Sequence, residues 1–174
     1  MMARKSLFHY SALESYQFIT FRTQDSVDLY LLKISKIIGL STAEKQMKID
    51  KYCDESNKGC YLNNEVIHVL MTYLKELDPD FYQLIAVSIM PNHVHLLIRQ
   101  RQELPIIMQK IKGVMAFQIN KLLVRKGHFW EKSYFDKAIR DEDHFNIVYE
   151  YIKNNASKAN LKDKDLRFYG IYTN

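Results

Sequence analysis

Only two cysteines, Cys53 and Cys60, occur in the 174 residues, and they neither make a disulfide framework nor form a Cys-x-x-Cys metal knuckle. They read as ordinary thiols. No apolar run approaches the roughly 20 residues a membrane-spanning helix needs. The opening Met1-Met2-Ala3-Arg4-Lys5-Ser6-Leu7-Phe8 is basic but lacks the apolar stretch of a secretory signal. These absences predict a cytosolic protein. Internal repeats and low-complexity segments are lacking too. With 47% apolar residues over this length, one domain spanning residues 1–174 is expected, with a core that needs no covalent staples.

Charge is sparse in excess but uneven in placement. The net charge is +5. Between Arg99 and Arg140 ten lysines and arginines stand against three acids, which gives +7 there and therefore −2 for the rest of the chain. A contiguous basic segment suits a polyanion, nucleic acid being the usual one, although a solvated basic face with no partner has the same composition.

The hydrophobic pattern predicts the elements. Tyr16 to Thr23 alternates aromatic and β-branched residues and reads as a strand. A polar segment over about 42–59 reads as an excursion within the domain. A helix is expected from Val66 to Leu77, capped by Asn63 or Asn64, and then a strand from Phe81 to Met90. Pro91-Asn92 turns the chain into an antiparallel strand from His93 to Arg99. Pro105 opens a helix running to about Lys126 and stopped by Gly127. Tyr134 to Arg140 is a further strand, and Asp141 caps a last helix. This order matches an α+β ferredoxin-like sandwich: an antiparallel sheet of four to five strands, helices on one face, and an added C-terminal helix.

His93-Val94-His95 carries the chemistry. On a strand, residues i and i+2 share a face, so two imidazoles sit side by side within an otherwise apolar run. That is half of a divalent-metal site; a pair of hydrogen-bonded core histidines is the competing reading. On the last helix, at about 100° per residue, Val148, Tyr149 and Ile152 fall close to Phe145 and form the buried stripe. Tyr151 and Asn155 lie together on its flank, at i and i+4, while Asn154 faces away. A boundary tyrosine that merely packs is the ordinary alternative.

The run Met90-Pro91-Asn92-His93-Val94-His95-Leu96-Leu97-Ile98 resembles the HUH motif of single-tyrosine transposases from bacterial insertion sequences. With Gly59-Cys60-Tyr61-Leu62, the stretch from Phe129 to Asp136, Ile139-Arg140-Asp141, and the stretch from Tyr151 to Ala159, the chain is similar to the REP-associated tyrosine transposases over nearly its whole length. The resemblance implies that Tyr151 is the nucleophile and that His93, His95 and Asn155 hold a Mg²⁺ or Mn²⁺ ion. It implies a metal-dependent single-strand endonuclease and strand transferase acting on DNA hairpins through a covalent 5′-phosphotyrosine, in a bacterial, nucleoid-associated setting. The family commonly has proline after the amide residue, whereas Ala156 stands here. The helix then either runs on harmlessly or carries Tyr151 at a different pitch. On this reading Arg99, Lys110, Lys112, Lys121, Arg125, Lys126, Lys132 and Arg140 are phosphate contacts, and Trp130 and Tyr134 either stack on unpaired bases or pack in the fold. A hairpin-binding protein without cleavage and a small metal hydrolase are the competing functions. Monomer and homodimer are both compatible with the residues.

Overall fold

The structure, a computed structural model, describes residues 12–172, so the basic stretch 1–8 lies outside the described residues. In chain order the elements are β1 (Tyr16–Arg22), α1 (Leu29–Ser35), α2 (Thr42–Glu55), α3 (Glu65–Glu76), β2 (Tyr82–Ile89), β3 (His93–Gln100), α4 (Leu104–Leu122), β4 (Phe135–Ala138), α5 (Glu142–Lys158), α6 (Lys164–Arg167) and β5 (Phe168–Gly170). The strands form one antiparallel sheet in the order β4-β1-β3-β2-β5. The first four strands keep the ferredoxin-like order, and β5 extends the β2 edge.

β3 runs through the middle, with β1 and β2 as its neighbours, which is why it reads as a nearly unbroken apolar run. Its even-numbered residues Val94, Leu96 and Ile98 join Ile19, Phe21, Leu84 and Val87 under α3 and α4. Leu97, with Phe18, Ile85 and Ala86, packs instead under Val148, Tyr149 and Ile152 of α5. The sheet therefore has α3 and α4 on one face and α5 on the other. His93 and His95, in phase with Leu97, lie on the α5 face.

Local chemistry sets the helix ends. Asp141 accepts from the His144 backbone N–H at 2.8 Å and caps α5. α4 ends at Leu122, short of Lys126, because Val124 takes a left-handed conformation and the Arg125 N–H turns back to the Asn120 carbonyl at 2.8 Å. α5 continues through Asn155 to Lys158, with Ala156 buried.

The largest departure from expectation is the segment 42–59. Most of it is α2, opened by a capping box in which Ser41 Oγ accepts from Glu44 N–H and the Glu44 carboxylate accepts from Ser41 N–H. The stretch after it returns to the sheet at Gly59, whose φ is +65°. A Cβ there would collide with Thr23 Oγ1 and with the Ser26 backbone nitrogen, so only glycine allows the close approach.

Candidate active site

Three elements converge at the His93 end of β3: the strand itself, α5 and α2. His93 and His95 are 1% and 0% exposed, with ring centroids 4.7 Å apart. Each ring is held through Nδ1. His93 Nδ1 is 2.7 Å from Asn92 Oδ1, and His95 Nδ1 is 2.8 Å from Thr20 Oγ1. The Asn92 amide nitrogen already donates to the carbonyls of Cys53 and Lys58, at 3.0 and 3.2 Å, so its oxygen is left as the acceptor. His93 must therefore carry its proton on Nδ1 and expose a lone pair on Nε2. The Thr20 hydroxyl holds the His95 ring through Nδ1 in the same way. Neither Nε2 has a hydrogen-bond partner. Burial holds the His93 imidazole well below its ordinary pKa, helped by His95 and by the Arg22 charge. Burial and Arg22 bring His95 down to about 3. Both rings are neutral and oriented, as metal-binding histidines are by the groups behind them.

α5 brings Tyr151 against this pair. Its ring is edge-on to His95 at 5.2 Å and to Phe18 at 5.9 Å between centroids. The Tyr151 hydroxyl donates to Asp50 Oδ2 at 3.1 Å, and Gln46 Nε2 donates to Asp50 Oδ1 at 2.6 Å. Burial first, then the Asp50 charge and hydrogen bond, push the phenol well above its ordinary pKa, so it is held protonated. Asn155 follows one turn later, 3% exposed, and its Nδ2 has no hydrogen-bond partner. The helix that continues past Ala156 thus still packs Tyr151 on His95.

The acids come from α2. Burial raises Asp50 to about 6, against the pull of Arg22, Tyr151 and Gln46. Asp54 is raised to about 7 by burial and by the charges of Asp50 and Glu55. Its Oδ1 lies 3.6 Å from His93 Nε2, too far for a hydrogen bond. Two neutral imidazoles whose Nε2 atoms have no hydrogen-bond partner, flanked by carboxylates that resist ionisation, form a cluster that a divalent cation would relieve. Asp50, His93 and His95 each offer a ligand atom within 4.8 Å of the others. The mixed nitrogen and oxygen donors suit Mn²⁺, and the carboxylate suits Mg²⁺ as well.

A family model described as Transposase IS200 like matches residues 52–155. The chain belongs to the IS200-like transposase family. By class it is a DNA-processing enzyme, a transposase. Asp50 lies just before the matched stretch. None of the curated proteins matches. Among solved structures, the REP-associated tyrosine transposase bound to a REP hairpin is similar over 90% of this chain and 74% of its own, at 16% identity and a TM-score of 0.53. A candidate transposase from Deinococcus radiodurans R1 is similar over 88% of this chain and 97% of its own, at 18% identity and a TM-score of 0.47. The first of these shares the fold. Among the described residues no helix is long and apolar enough to cross a membrane.

The basic segment proves to be divided by the sheet. Lys110, Lys121 and Lys126 are exposed on or just beyond α4, across the sheet from Tyr151, and Lys132 is exposed before β4. Lys112 is committed inward, where its ammonium donates to the carbonyls of Glu131, Lys132 and Ser133 at 2.5, 3.0 and 3.2 Å. Arg125 pairs with Asp25 at 2.7 Å and covers the Tyr61 ring. Arg99 pairs with Glu14 at 2.8 Å at the far end of β3. Trp130 is 6% exposed and packs on Phe21 and Phe129 at 5.0 and 4.7 Å, so it belongs to the core and not to a stacking surface. Tyr134 is half-buried against the α4 side, with Lys112 over its ring. Arg140 and Lys137 are the basic residues beside Tyr151.

Six residues at this site were not singled out for it from the sequence: Gln46, Asp50, Asp54, Thr20, Asn92 and Arg22. Arg22 pairs with Glu131 at 2.9 Å and is aligned with His93 across β1 and β3. Asn92 sits in the run that carries the histidines, and its place directly before His93 was the available signal. Thr20 and Arg22 follow from sheet register alone, which a single sequence does not display.

Proposed function

We propose that this transposase cuts and rejoins single strands of hairpin-forming DNA through a covalent 5′-phosphotyrosine on Tyr151. The observation that carries the reading is the Tyr151 hydroxyl, held beside two neutral histidines whose Nε2 atoms make no hydrogen bond. The hairpin-bound structural relative supports hairpin DNA as the substrate class.

His93, His95 and Asn155 would hold a Mg²⁺ or Mn²⁺ ion, with Asp50 adjacent. When bound, the ion supplies Lewis-acid polarisation of the scissile phosphate and a template for its oxygens. Asn92 and Thr20 keep the two imidazoles turned so that Nε2 faces the site. Tyr151 Oη attacks phosphorus and gives its proton to Asp50, which already accepts that hydrogen bond. The phosphorus–oxygen bond to the 3′ oxygen breaks, and that oxygen leaves as a 3′-hydroxyl by taking up one proton, which balances the one passed from Tyr151 to Asp50 and is relayed through solvent. One phosphodiester is exchanged for another, so a second 3′-hydroxyl reverses the step without ATP. Arg140 and Lys137 contact phosphates near the cut, and the exposed lysines of α4 contact a more distant part of the hairpin.

The test is a labelled single-stranded hairpin from the repeats flanking the gene, incubated with the protein and Mn²⁺ and run on a denaturing gel. A protein–DNA adduct that survives denaturation, and that Tyr151→Phe removes while hairpin affinity persists, is the expected result. Tight binding with no adduct from any flanking repeat would leave a hairpin-binding protein without cleavage.

A further inference from the structure

A cleft of about 370 Å³ opens beside Tyr151. Its floor is the α5 face of the sheet edge. Phe18 is paired with Lys137 across β1 and β4, Thr20 with Phe135, and both pairs point to this face. One wall is α5, with Ile147 and Tyr151; the other is α2, with Ala43 and Met47. Phe18 and Phe135 meet edge-on at 6.1 Å. Met47 and Ile147 are 72% and 69% exposed at the lips, an apolar margin left uncovered among the described residues. The inner end reaches the Asp50–Tyr151 hydrogen bond.

The rim is cationic. Lys137 and Arg140 stand over the opening, and no ion pair engages either of them among the described residues. Burial first, then the charges of Lys137 and Arg140, hold the neighbouring His144 below its ordinary pKa, against the pull of Asp141. An aromatic-floored slot with cations at its mouth matches one ligand chemistry: a flat apolar ring that carries a phosphate.

We infer that this cleft is a subsite for one unpaired nucleotide of the cleaved strand, its base between Phe18, Phe135 and the α2 wall and its phosphate on Lys137 and Arg140. The inference rests on the DNA-cleaving reading and adds the feature that decides how the strand approaches Tyr151. The slot volume admits a single nucleotide and not a base pair, so the residue bound there is unstacked from the hairpin. α2 supplies one wall, which gives the helix a binding role in addition to its acids. Contacts of this stacking kind tolerate any base, so the subsite fixes register more than sequence.

The test compares a fluorescein-labelled 15-residue oligothymidylate with a strand of the same length and charge built from abasic units, using fluorescence anisotropy. The wild-type protein is expected to bind the thymidylate about 10-fold more tightly, the equivalent of one stacked base. Ala43→Phe, which fills the slot, is expected to bring that ratio close to 1. An oligothymidylate carrying 5-iodouracil is expected to photocrosslink to Phe18, Met47 or Phe135; this readout needs no variant and stands even if Ala43→Phe misfolds. A wild-type ratio near 1, a ratio unmoved in folded Ala43→Phe, or crosslinks confined to α4 would overturn the inference. So would a dimer in sedimentation that Ala43→Phe abolishes, since the cleft would then hold a second copy. Neither binding nor crosslinking requires cleavage. A normal ratio in a protein that forms no phosphotyrosine adduct strikes the cleavage reading and keeps the subsite; the reverse pattern strikes the subsite alone.

Discussion

The two faces of the sheet are made from the same three central strands and do opposite work. Under α3 and α4 the alternate residues of β1, β2 and β3 include Ile19, Phe21, Leu84, Val87, Val94, Leu96 and Ile98, all buried and apolar, with the buried polar Gln17 and Gln100 confined to the end of the sheet away from the histidines. Under α5 the complementary set starts apolar, with Phe18, Ile85, Ala86 and Leu97, and turns polar toward one end, at Thr20, Arg22, Ser88, His93 and His95. The first face gains stability from ordinary burial, about 1.5–3 kcal/mol for each large side chain. The second accepts the cost of desolvated polar groups. Its unpaired atoms are not scattered. His93 Nε2, His95 Nε2 and Asn155 Nδ2 all belong to the constellation around Tyr151. One face holds the protein together, and the other holds His93, His95 and Tyr151 in fixed orientations.

Substitutions that separate these roles test the contrast, and the largest effect is expected at Tyr151, the proposed nucleophile. Tyr151→Phe should lower adduct formation by roughly 10⁴-fold or more. It removes only a hydroxyl, so the melting temperature should stay within a few degrees. A comparable loss from Tyr149→Phe, whose side chain is directed at β5 and Tyr172, would show that the wrong face of α5 had been assigned. Asp50→Asn comes next. It keeps a hydrogen-bonding group beside Tyr151 but cannot take its proton, so adduct formation should slow by about 10²- to 10⁴-fold. Mn²⁺ affinity, measured by calorimetry, should change only a few-fold. A loss of Mn²⁺ binding as large as that from removing a histidine would make Asp50 a ligand and not the proton acceptor.

Asp50 also shows what the sequence could not display. The residues of α2 that face inward are Gln46, Asp50 and Cys53, spaced i, i+4 and i+7. That is a helical stripe, but its first two members are polar, so hydrophobic periodicity has nothing to register and the segment looks like a solvated excursion. Only the Ser41–Glu44 capping box marks the helix. The wall of the site and the acid beside Tyr151 are therefore hidden for one reason. Elsewhere the periodicities suffice: β1, β2, β3, α3, α4 and α5 all follow from apolar spacing and caps. The i, i+4 relation of Tyr151 and Asn155 is likewise fixed by helical pitch alone. Charge is the opposite case. The basic residues from Arg99 to Arg140 are contiguous in sequence, but β3, α4 and β4 distribute them over both faces, and Lys112 turns inward to cap three carbonyls.

His95 and Leu96 are neighbours in sequence that point to opposite faces, which makes them the closest comparison available. His95→Ala should weaken Mn²⁺ binding by about 100-fold, at least the loss typical of a supporting group behind a metal ligand. Leu96→Ala leaves a cavity in the α3–α4 core and should cost about 2–5 kcal/mol. That corresponds to a fall in melting temperature of roughly 5–15 °C for a chain of this size. Mn²⁺ affinity of the folded Leu96→Ala protein should remain within about threefold of wild type. If Leu96→Ala abolished metal binding while the protein stayed folded, the two faces would be coupled and the division drawn between them would fail.

The smallest effects are expected from the cations, and they should divide by face. Replacing Lys110, Lys121 and Lys126 by Gln removes charge across the sheet from the reacting groups. Hairpin affinity should fall, and the slope of log K against log salt should lessen by about 1 for each true phosphate contact. The rate of adduct formation at saturating hairpin should be unchanged, because none of the three shares a face with Tyr151. Replacing Lys137 and Arg140 by Gln should instead lower that saturated rate several-fold, since their phosphate positions the strand at the hydroxyl. If the α4 substitutions changed neither affinity nor salt slope, their side of the sheet would be a solvated surface. All DNA contacts would then belong to the face that carries His93, His95 and Tyr151.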